Sequence, residues 1–494
     1  MSLRTAEEFR VGLRDGRAVY VDGARVADVT AHPALAIAVE HAANIYELAL
    51  DPATAELFTC ERDGATVNRY FEPLTSTDAL VARARLIEQH TCHGRSTLNL
   101  TKAVGTDALN ALTAVSPLVD RAEGTFYAER VAAYFAACAR EDRSVVLAQT
   151  DPKGDRRLRP HEQPDPDLYL RIVERREGGI VVQGAKAHTT MAPVADEVIV
   201  LPTRAMGPDD ADYAVAFAIP IATPGIEMIC GPLPKPEASV FDAPVSRRNI
   251  EIESLTVFDR VFVPWERVFL AGEHRHAAAL ATTFATYHRF TAIAYKLPFA
   301  DLLLACGTLV SELNGTIGAS HVNEKLARLV HYGALLRACV EAAARGGVAA
   351  EAGQLLPAPV FTNVGKFHFS SHFHAMAAIV QDLAGGFAIT APNEASLRSA
   401  ETGHWVRKYL QGAAGTDAEL RLRIMHLIRD LTASDFGGYN YVVTLHGEGS
   451  MQAQLIQTLR DADLHGALEV LAHVLDEDVS MHSTLPRSAL PLLT

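Results

Sequence analysis

Between residues 144 and 270 the hydrophobic repeat of this chain changes period, and that change limits the folds open to it. On either side, apolar residues recur at the spacing of amphipathic helices. Inside, runs rich in β-branched and aromatic residues are bounded by turn chemistry: Val145-Val-Leu, Leu168-Tyr-Leu-Arg-Ile-Val, Gly179-Ile-Val-Val, Glu197-Val-Ile-Val-Leu, Tyr213-Ala-Val-Ala-Phe-Ala-Ile and Leu255-Thr-Val-Phe-Asp-Arg-Val-Phe-Val. They predict a β layer of six or more strands within a helical shell. Two strand ends carry polar groups: Gln149-Thr-Asp-Pro-Lys-Gly-Asp-Arg156 after one run and Gly184-Ala-Lys-Ala-His-Thr-Thr190 after another. Thr, His and backbone amides placed there suit the edge of a flat heterocycle.

The flanks are helical in pattern. Thr5-Ala-Glu-Glu opens with a capping box, and a short strand pair is expected around Ala18–Val26. Helices are expected from His32-Pro33 to Leu48, and over 76–91, 98–114 and 124–139. After Pro264 they resume over 274–314, 321–350, 360–390, 417–432 and 450–475, with Gly385-Gly386 as a break and 431–448 as an irregular Gly-rich crossing. The fold class is therefore α+β. It comprises an α-rich N-terminal domain (1–140), a central β-barrel or sandwich domain (141–272) and a C-terminal helical bundle (273–494).

Composition narrows the function classes. With 49% hydrophobic and 21% charged residues, the 494-residue chain has the balance of a globular protein with a large core. A net charge of −14 without any basic block argues against a nucleic-acid partner, though one local basic pocket for a phosphate or CoA tail stays open. The six cysteines are scattered without a CxxC, as for reduced thiols. The charged N-terminal segment is unlike a signal peptide, and the apolar run 297–310, interrupted by Asp301, is too short to span a bilayer. A cytoplasmic protein with no membrane association is expected.

The α–β–α order and several motifs resemble the acyl-CoA dehydrogenase-like fold, and within it the 4-hydroxyphenylacetate 3-hydroxylase / 4-hydroxybutyryl-CoA dehydratase family. The resemblance runs nearly end to end. Its carriers include Arg4-Thr-Ala-Glu-Glu-Phe, Gly105-Thr-Asp-Ala-Leu-Asn, Thr150-Asp-Pro-Lys-Gly-Asp-Arg, Gly184-Ala-Lys-Ala-His-Thr-Thr, Val261-Phe-Val-Pro-Trp-Glu-Arg, Asn363-Val-Gly-Lys, Asp382-Leu-Ala-Gly-Gly and Leu431-Thr-Ala-Ser-Asp-Phe-Gly-Gly-Tyr. It implies FAD, with Gln149, Thr150, Arg156, His188, Thr189 and Thr190 around the flavin and its phosphates. Gln381 with Gly385 and Gly386 would meet the FAD pyrophosphate across a subunit boundary, and so implies a homotetramer. Lys186 is read as another flavin-phosphate or flavin-edge contact.

The two branches of the family differ in chemistry, and this chain departs from both. The dehydratases resembled here hold a [4Fe–4S] cluster on three cysteines and a histidine. Here His288 matches the histidine, but the cysteine positions fall on Asn99, Ala103 and Tyr295, which supply no thiolate. The hydroxylases resembled have an Arg-Ser-Pro-Asp-Tyr segment meeting the phenol, of which Arg95-Ser96 is retained, and Gln149 stands at the position of a strand histidine. Arg95, Asn99, Gln149 and Tyr295 are therefore expected to bind substrate, and His288, Glu448 and Arg95 to act in catalysis, with Glu253 a weaker candidate. The bland alternatives are a core histidine for His288 and a structural ion pair for Arg95. The i, i+4 histidines His368 and His372, with His374, lack acidic or cysteine partners, and no metal site is expected.

The leading expectation is a reduced-flavin-dependent, two-component monooxygenase of an aromatic or related small substrate, free or CoA- or carrier-linked, served by a separate flavin reductase. One alternative is a cluster-free, redox-neutral acyl-CoA dehydratase or double-bond isomerase. Another is a non-catalytic flavin-binding partner subunit.

Overall fold

The computed structural model describes residues 3–233 and 238–476. Its first helix, Ala6–Gly12, begins as the sequence predicts. The Thr5 hydroxyl accepts from the Glu8 amide, and the Glu8 carboxylate accepts from the Thr5 amide. Helices Leu35–Leu50, Thr77–His93, Leu100–Glu123 and Tyr127–Arg140 follow. Leu100–Glu123 is buried along most of its length because it packs on both the long Ala277–Leu313 helix and the Val145–Ala148 strand. Gly105 permits this approach, since a Cβ there would collide with the Val145 carbonyl. Buried pairs Arg83–Asp107 (2.8 Å) and Lys102–Asp142 (2.7 Å) lock the helix laterally.

The β region forms two main sheets. The larger runs Ala24–Arg25, Ala18–Val21, Ile226–Cys230, Ser254–Pro264, Gly179–Lys186, Arg171–Arg176. The smaller runs Val268–Ala271, Val215–Pro220, Glu197–Val200, Val145–Ala148. Val145–Ala148 and Glu197–Val200 are buried at every position, which explains their nearly continuous apolar character. The strand pair at residues 18–25, expected within the N-terminal helical region, joins the larger sheet through parallel pairing of Ala18–Val21 with Ile226–Cys230. A hairpin of Thr59–Arg62 with Ala65–Asn68 was not anticipated from the sequence.

Helices Ala277–Leu313, Ser320–Arg345 and Pro359–Ala384 pack together as the C-terminal bundle. The helix containing the apolar 297–310 run is, as a whole, long and apolar enough to cross a membrane, but 61% of its apolar window is buried inside the protein, where it is the central core helix. The helix expected over 360–390 stops at Ala384, where Gly385 turns the chain at φ 70°. The one expected over 450–475 is two, Met451–Asp461 and Leu464–Leu475. The crossing expected to be irregular over 431–448 contains the helix Asp435–His446. Its N-cap Ser434 accepts from the Gly437 amide, and Gly437 lies so close to the Thr432 backbone that a Cβ could not fit. Gly437 thus serves close packing, whereas Gly438 beside it has open space where a Cβ would stand.

Candidate active site

The site is built where the larger sheet ends. Backbone pairing between its two central strands continues past their last regular residues: the Thr189 amide donates to the Ser254 carbonyl (3.0 Å) and the Met191 amide to the Ile252 carbonyl (2.7 Å). Alternation then puts Thr190 and Glu253 on one side, and the Thr190 hydroxyl lies 3.0 Å from each Glu253 carboxylate oxygen. Glu251, two residues earlier, faces the same way. The phenol of Tyr439, from the Asp435–His446 helix, bridges them at 2.8 Å from Glu251 Oε2 and 2.7 Å from Glu253 Oε1.

One phenol proton cannot be donated to two carboxylates. One of the two carboxyls must supply the second proton. Burial, then the charge of Glu253, pushes Glu251 up to about 8, against the Tyr439 hydrogen bond and Lys296. Glu253 is also raised, chiefly by burial. Glu251–Tyr439–Glu253 is thus a proton-holding chain at neutral pH.

A second cluster adjoins it. Glu448 projects from the turn between Asp435–His446 and Met451–Asp461, at φ 55°, a left-handed conformation that a non-glycine residue adopts only when held. Arg289 holds it. Its Nε donates to the Glu448 carbonyl (2.9 Å), and its other arm donates to Asn363 Oδ1 (2.7 Å) and Gln457 Oε1 (2.5 Å). The Glu448 Oε1 atom accepts from the Tyr295 phenol and from Lys296 Nζ, the latter at 3.1 Å. Lys366 Nζ is 3.2 Å from Oε2, close enough for ion pairing but without hydrogen-bond alignment, because it donates instead to Ser370 Oγ (2.7 Å) and the Thr444 carbonyl (3.0 Å). Oε2 consequently accepts no hydrogen bond. Burial opposes charge on Glu448, but Lys296, Lys366, His288 and the Tyr295 phenol outweigh it, so its carboxyl lies well below the usual range. Lys296 is brought down to about 8 by burial, against the pull of Glu448. The glutamate is a fixed anion, and the lysine is the partner that titrates near neutrality.

A narrow cavity of roughly 50 Å³ runs to these groups. Leu98, Phe299, Phe369, Phe373, Phe436 and Val443 form its apolar wall, while Glu251, Tyr295, Lys296, Tyr439 and Asn440 form its polar end. The Asn440 amide nitrogen there is buried without a partner, and so is the Thr189 hydroxyl at the strand end.

Of the sequence candidates, Glu448, Tyr295, Thr190 and Glu253 belong to these two adjoining clusters. Others lie elsewhere. Asn99 is buried as the N-cap of Leu100–Glu123: its Oδ1 accepts from the Thr101 amide and hydroxyl, and its Nδ2 donates to the His41 carbonyl. The geometry puts it in the framework, not among the cavity-lining groups. His288 Nδ1 lies 3.2 Å from Asp107 Oδ2, and its ring stacks on Phe284 outside the cavity wall. Its charge reaches Glu448, but it does not face the cavity. Arg95 is exposed on the turn that precedes the cavity-lining Ser96. Gln149 and Thr150 lie at the end of the Val145–Ala148 strand, the Gln149 side chain 3.4 Å from the Pro202 carbonyl and the Thr150 carbonyl accepting from the Ala187 amide (2.7 Å). Arg156 and His188 are exposed. Gln381 donates to the Thr432 carbonyl (3.0 Å), and Gly385 and Gly386 are exposed just beyond its helix. Lys186 is not an exposed phosphate contact. It is buried, paired with Asp151 at 2.8 Å, and donates to the Gln149 and Leu201 carbonyls, pinning the Gln149–Asp151 turn.

Sequence reasoning missed Glu251, Tyr439, Lys366 and the role of Lys296. The signal was available: Lys296 and Lys366 each interrupt a strongly apolar helical run, and Ile250-Glu-Ile-Glu alternates two carboxylates onto one face ahead of a strand.

Two family models, described as 4-hydroxyphenylacetate 3-hydroxylase N terminal and C terminal, match residues 5–270 and 277–476. The chain belongs to the 4-hydroxyphenylacetate 3-hydroxylase family. Among similar proteins, the 4-hydroxybutyryl-CoA dehydratase/vinylacetyl-CoA-Δ-isomerase of Clostridium aminobutyricum is 34% identical over 95% of this chain and 98% of its own length. The (3S)-3-amino-3-(3-chloro-4-hydroxyphenyl)propanoyl-[peptidyl-carrier protein SgcC2] monooxygenase of Streptomyces globisporus is 30% identical over 94% of this chain and 88% of its own. In structure, the oxygenase component of 4-hydroxyphenylacetate 3-monooxygenase complexed with FAD superposes with a TM-score of 0.89 at 27% identity, covering 96% of this chain and 98% of that one. The similar proteins thus include both a dehydratase/isomerase and monooxygenases. In this member, the Asn99 cap, the methyl group of Ala103 and the Glu448-bonded phenol of Tyr295 are not a donor set for an iron–sulfur cluster. Among the described residues, no three or more His, Cys, Asp or Glu side chains are grouped to hold a metal ion.

Proposed function

We propose that this chain is the oxygenase of a reduced-FAD-dependent, two-component monooxygenase acting on a small aromatic substrate. The observation that carries this reading is the slot of phenylalanine rings ending on Tyr295 and Lys296. Such walls match a flat aromatic ring in chemistry, and its hydroxyl would meet a cation and a phenol donor, but at roughly 50 Å³ the cavity must widen to admit the ring. The unpartnered, buried Thr189 hydroxyl beside Thr190 fits the edge of a flavin, with Gln149, Thr150 and His188 near it and Arg156, Gln381, Gly385 and Gly386 toward the phosphates. When bound, reduced flavin supplies two electrons, so that O2 delivers one oxygen atom to the substrate and the other leaves as water.

The chain's residues then have distinct tasks. Lys296, at about 8, can hold or release a proton at the substrate oxygen near neutral pH, which suits general acid–base work. Glu448 is too acidic for that task and acts as the fixed counter-charge that keeps Lys296 and Lys366 in place. Glu251, Tyr439 and Glu253 store a proton beside the flavin edge. Phe436, Val443 and Leu98 exclude water. Exposed Gly385-Gly386 backbone is consistent with flavin held across a subunit boundary, hence a homotetramer, and reduced FAD would come from a separate reductase.

A second reading is favoured by one feature. Glu448 Oε2, buried without a hydrogen bond and ion-paired with Lys366, is a fixed negative charge beside two lysines, and a proton carried by Lys296 against such a charge also suits redox-neutral proton movement on an acyl thioester. The two are separated by loading the protein anaerobically with reduced FAD and mixing it rapidly with oxygenated buffer and candidate phenols. Hydroxylated product with one equivalent of flavin oxidised supports oxygenation. Reoxidation to peroxide alone with every phenol, together with turnover of a β,γ-unsaturated acyl-CoA, would replace it with the isomerase.

A further inference from the structure

Two segments that wall the cavity are tied to one buried histidine. His41, on the helix Leu35–Leu50, is 1% exposed. Its Nδ1 atom lies 3.1 Å from the Ile250 carbonyl oxygen and its Nε2 atom 3.2 Å from that of Thr97. Thr97 lines the cavity with Ser96 and Leu98, and Ile250 immediately precedes the cavity-lining Glu251. The wall on the Thr97 side is a tight turn under strain. Arg95 and Ser96 are consecutive non-glycine residues at φ 55° and 66°, a left-handed conformation visited mostly by single residues. A Cβ at Gly94 would collide with the Thr97 carbonyl. The turn is fastened to more distant parts of the protein by the Ser96 hydroxyl, which donates to the Pro298 carbonyl (3.2 Å), and by His41.

The His41 ring sits between two acceptors. A carbonyl oxygen only accepts, so each ring nitrogen would have to donate, and a neutral imidazole carries a single N–H. Only the imidazolium can fasten both walls at once. Burial works against that charge and lowers the His41 pKa, while the two carbonyls pull it up. The ionisable groups on the surrounding elements are His90 on Thr77–His93, Lys102 on Leu100–Glu123, Arg95 on the turn and Glu251 beyond Ile250. Among the described residues none of them hydrogen-bonds to the His41 ring, and no carboxylate offsets its burial. His90 is itself kept neutral by burial, between the Tyr70 hydroxyl (2.9 Å) and Asn44 Oδ1 (3.0 Å). Near neutral pH, His41 therefore makes one arm of the clamp and leaves the other open.

We propose that His41 is a positioning residue that latches the cavity: as the imidazolium it holds the Ser96–Leu98 wall and the Ile250–Glu251 strand end together, and as the neutral ring it frees one of them so that the slot widens. At roughly 50 Å³ the closed cavity has room for water but not for an aromatic ring, so entry requires such a release. The strained turn at Arg95 and Ser96 is the side that gains by letting go. This rests on the aromatic slot being the substrate site, but not on oxygen chemistry.

The test is amide hydrogen exchange of the full-length protein, corrected for intrinsic chemistry and referred to the core helix Ala277–Leu313. The reporters are the Ser96 and Thr97 amides, bonded to the Thr91 and Gly94 carbonyls, and the Met191 amide, bonded to the Ile252 carbonyl. As pH falls from about 7 to about 4.5, exchange at one side or the other should slow about tenfold, the worth of one hydrogen bond gained. His41→Gln, whose amide donates at every pH, should abolish that step, and His41→Leu should leave exchange fast throughout. Should the leucine variant fail to fold, the parent and the glutamine variant still decide. A parent without the step, or a glutamine variant that keeps it, overturns the proposal. Phenol, the probe for the slot, should associate more slowly with the parent at the acid end and show no such slowing with His41→Gln. An exchange step that leaves phenol association unchanged would count against the slot as the substrate site, with the latch itself intact.

Discussion

At the scale of single residues, the site combines one fixed anion with two groups poised near neutral pH. Removing the anion should be the most damaging change. Glu448→Gln leaves Lys296 and Lys366 buried without a counter-charge, a loss expected to cost about 3–5 kcal/mol of stability and about a hundredfold or more in turnover. Denaturant titration and steady-state kinetics check the two effects separately. Glu251 has the opposite character. Its folded-state pKa of about 8 lies above the ordinary 4.5, so the folded protein keeps a proton that the unfolded chain releases. The stability it contributes is complete below about pH 4.5 and drains away as pH rises through about 8. Melting temperatures measured across that interval should fall less steeply for Glu251→Gln than for the parent; parallel curves would refute the assignment. The sequence announced Glu448, because the His446-Gly-Glu-Gly segment is distinctive. It hid Glu251 and Tyr439, whose importance arises only when a helix from the C-terminal region lays a phenol across two strand-end carboxylates.

At the scale of elements, helices were legible and their ends were not. Apolar spacing marks Leu35–Leu50 and Ala277–Leu313 plainly. The glycines of 431–448 suggested a loop, yet Gly437 sits inside a helix, where the neighbouring backbone leaves no space for a Cβ and so requires glycine. Asn99 illustrates the same limit: its side chain in a substrate-facing motif was consumed by capping the helix that follows. The turn carrying Glu448 depends on a single clamp. Arg289→Ala should release the strained backbone at φ 55° and let the carboxylate wander from Lys296. Turnover is expected to fall about tenfold or more, with KM changing less, since misplacement of a catalytic group by an ångström has that scale of effect. Lysine at this position should restore part of the loss by reaching the Glu448 carbonyl; equal damage from alanine and lysine would show that the clamp works differently.

At the scale of the whole molecule, cofactor and assembly are the first things to measure. FAD that binds the native state selectively must raise its melting temperature, by about 2.7 kcal/mol of added stability at a hundredfold excess over Kd. Size-exclusion chromatography with light scattering should return a tetramer, and Gly386→Asp, which puts a negative charge at the exposed helix end, should weaken flavin retention without unfolding the bundle. The order of α, β and α regions was readable from periodicity alone, because burial imposes the period. The strand pair within residues 1–140, however, joins the sheet of the central region. Pairing of Ala18–Val21 with Ile226–Cys230 means that the opening strand meets its neighbour only after about two hundred further residues have been made. On the ribosome, the start of this protein must therefore wait, with its edge open, for a late arrival. A fragment ending near residue 140 would carry that edge unpaired for its lifetime, a standing invitation to stick to other chains.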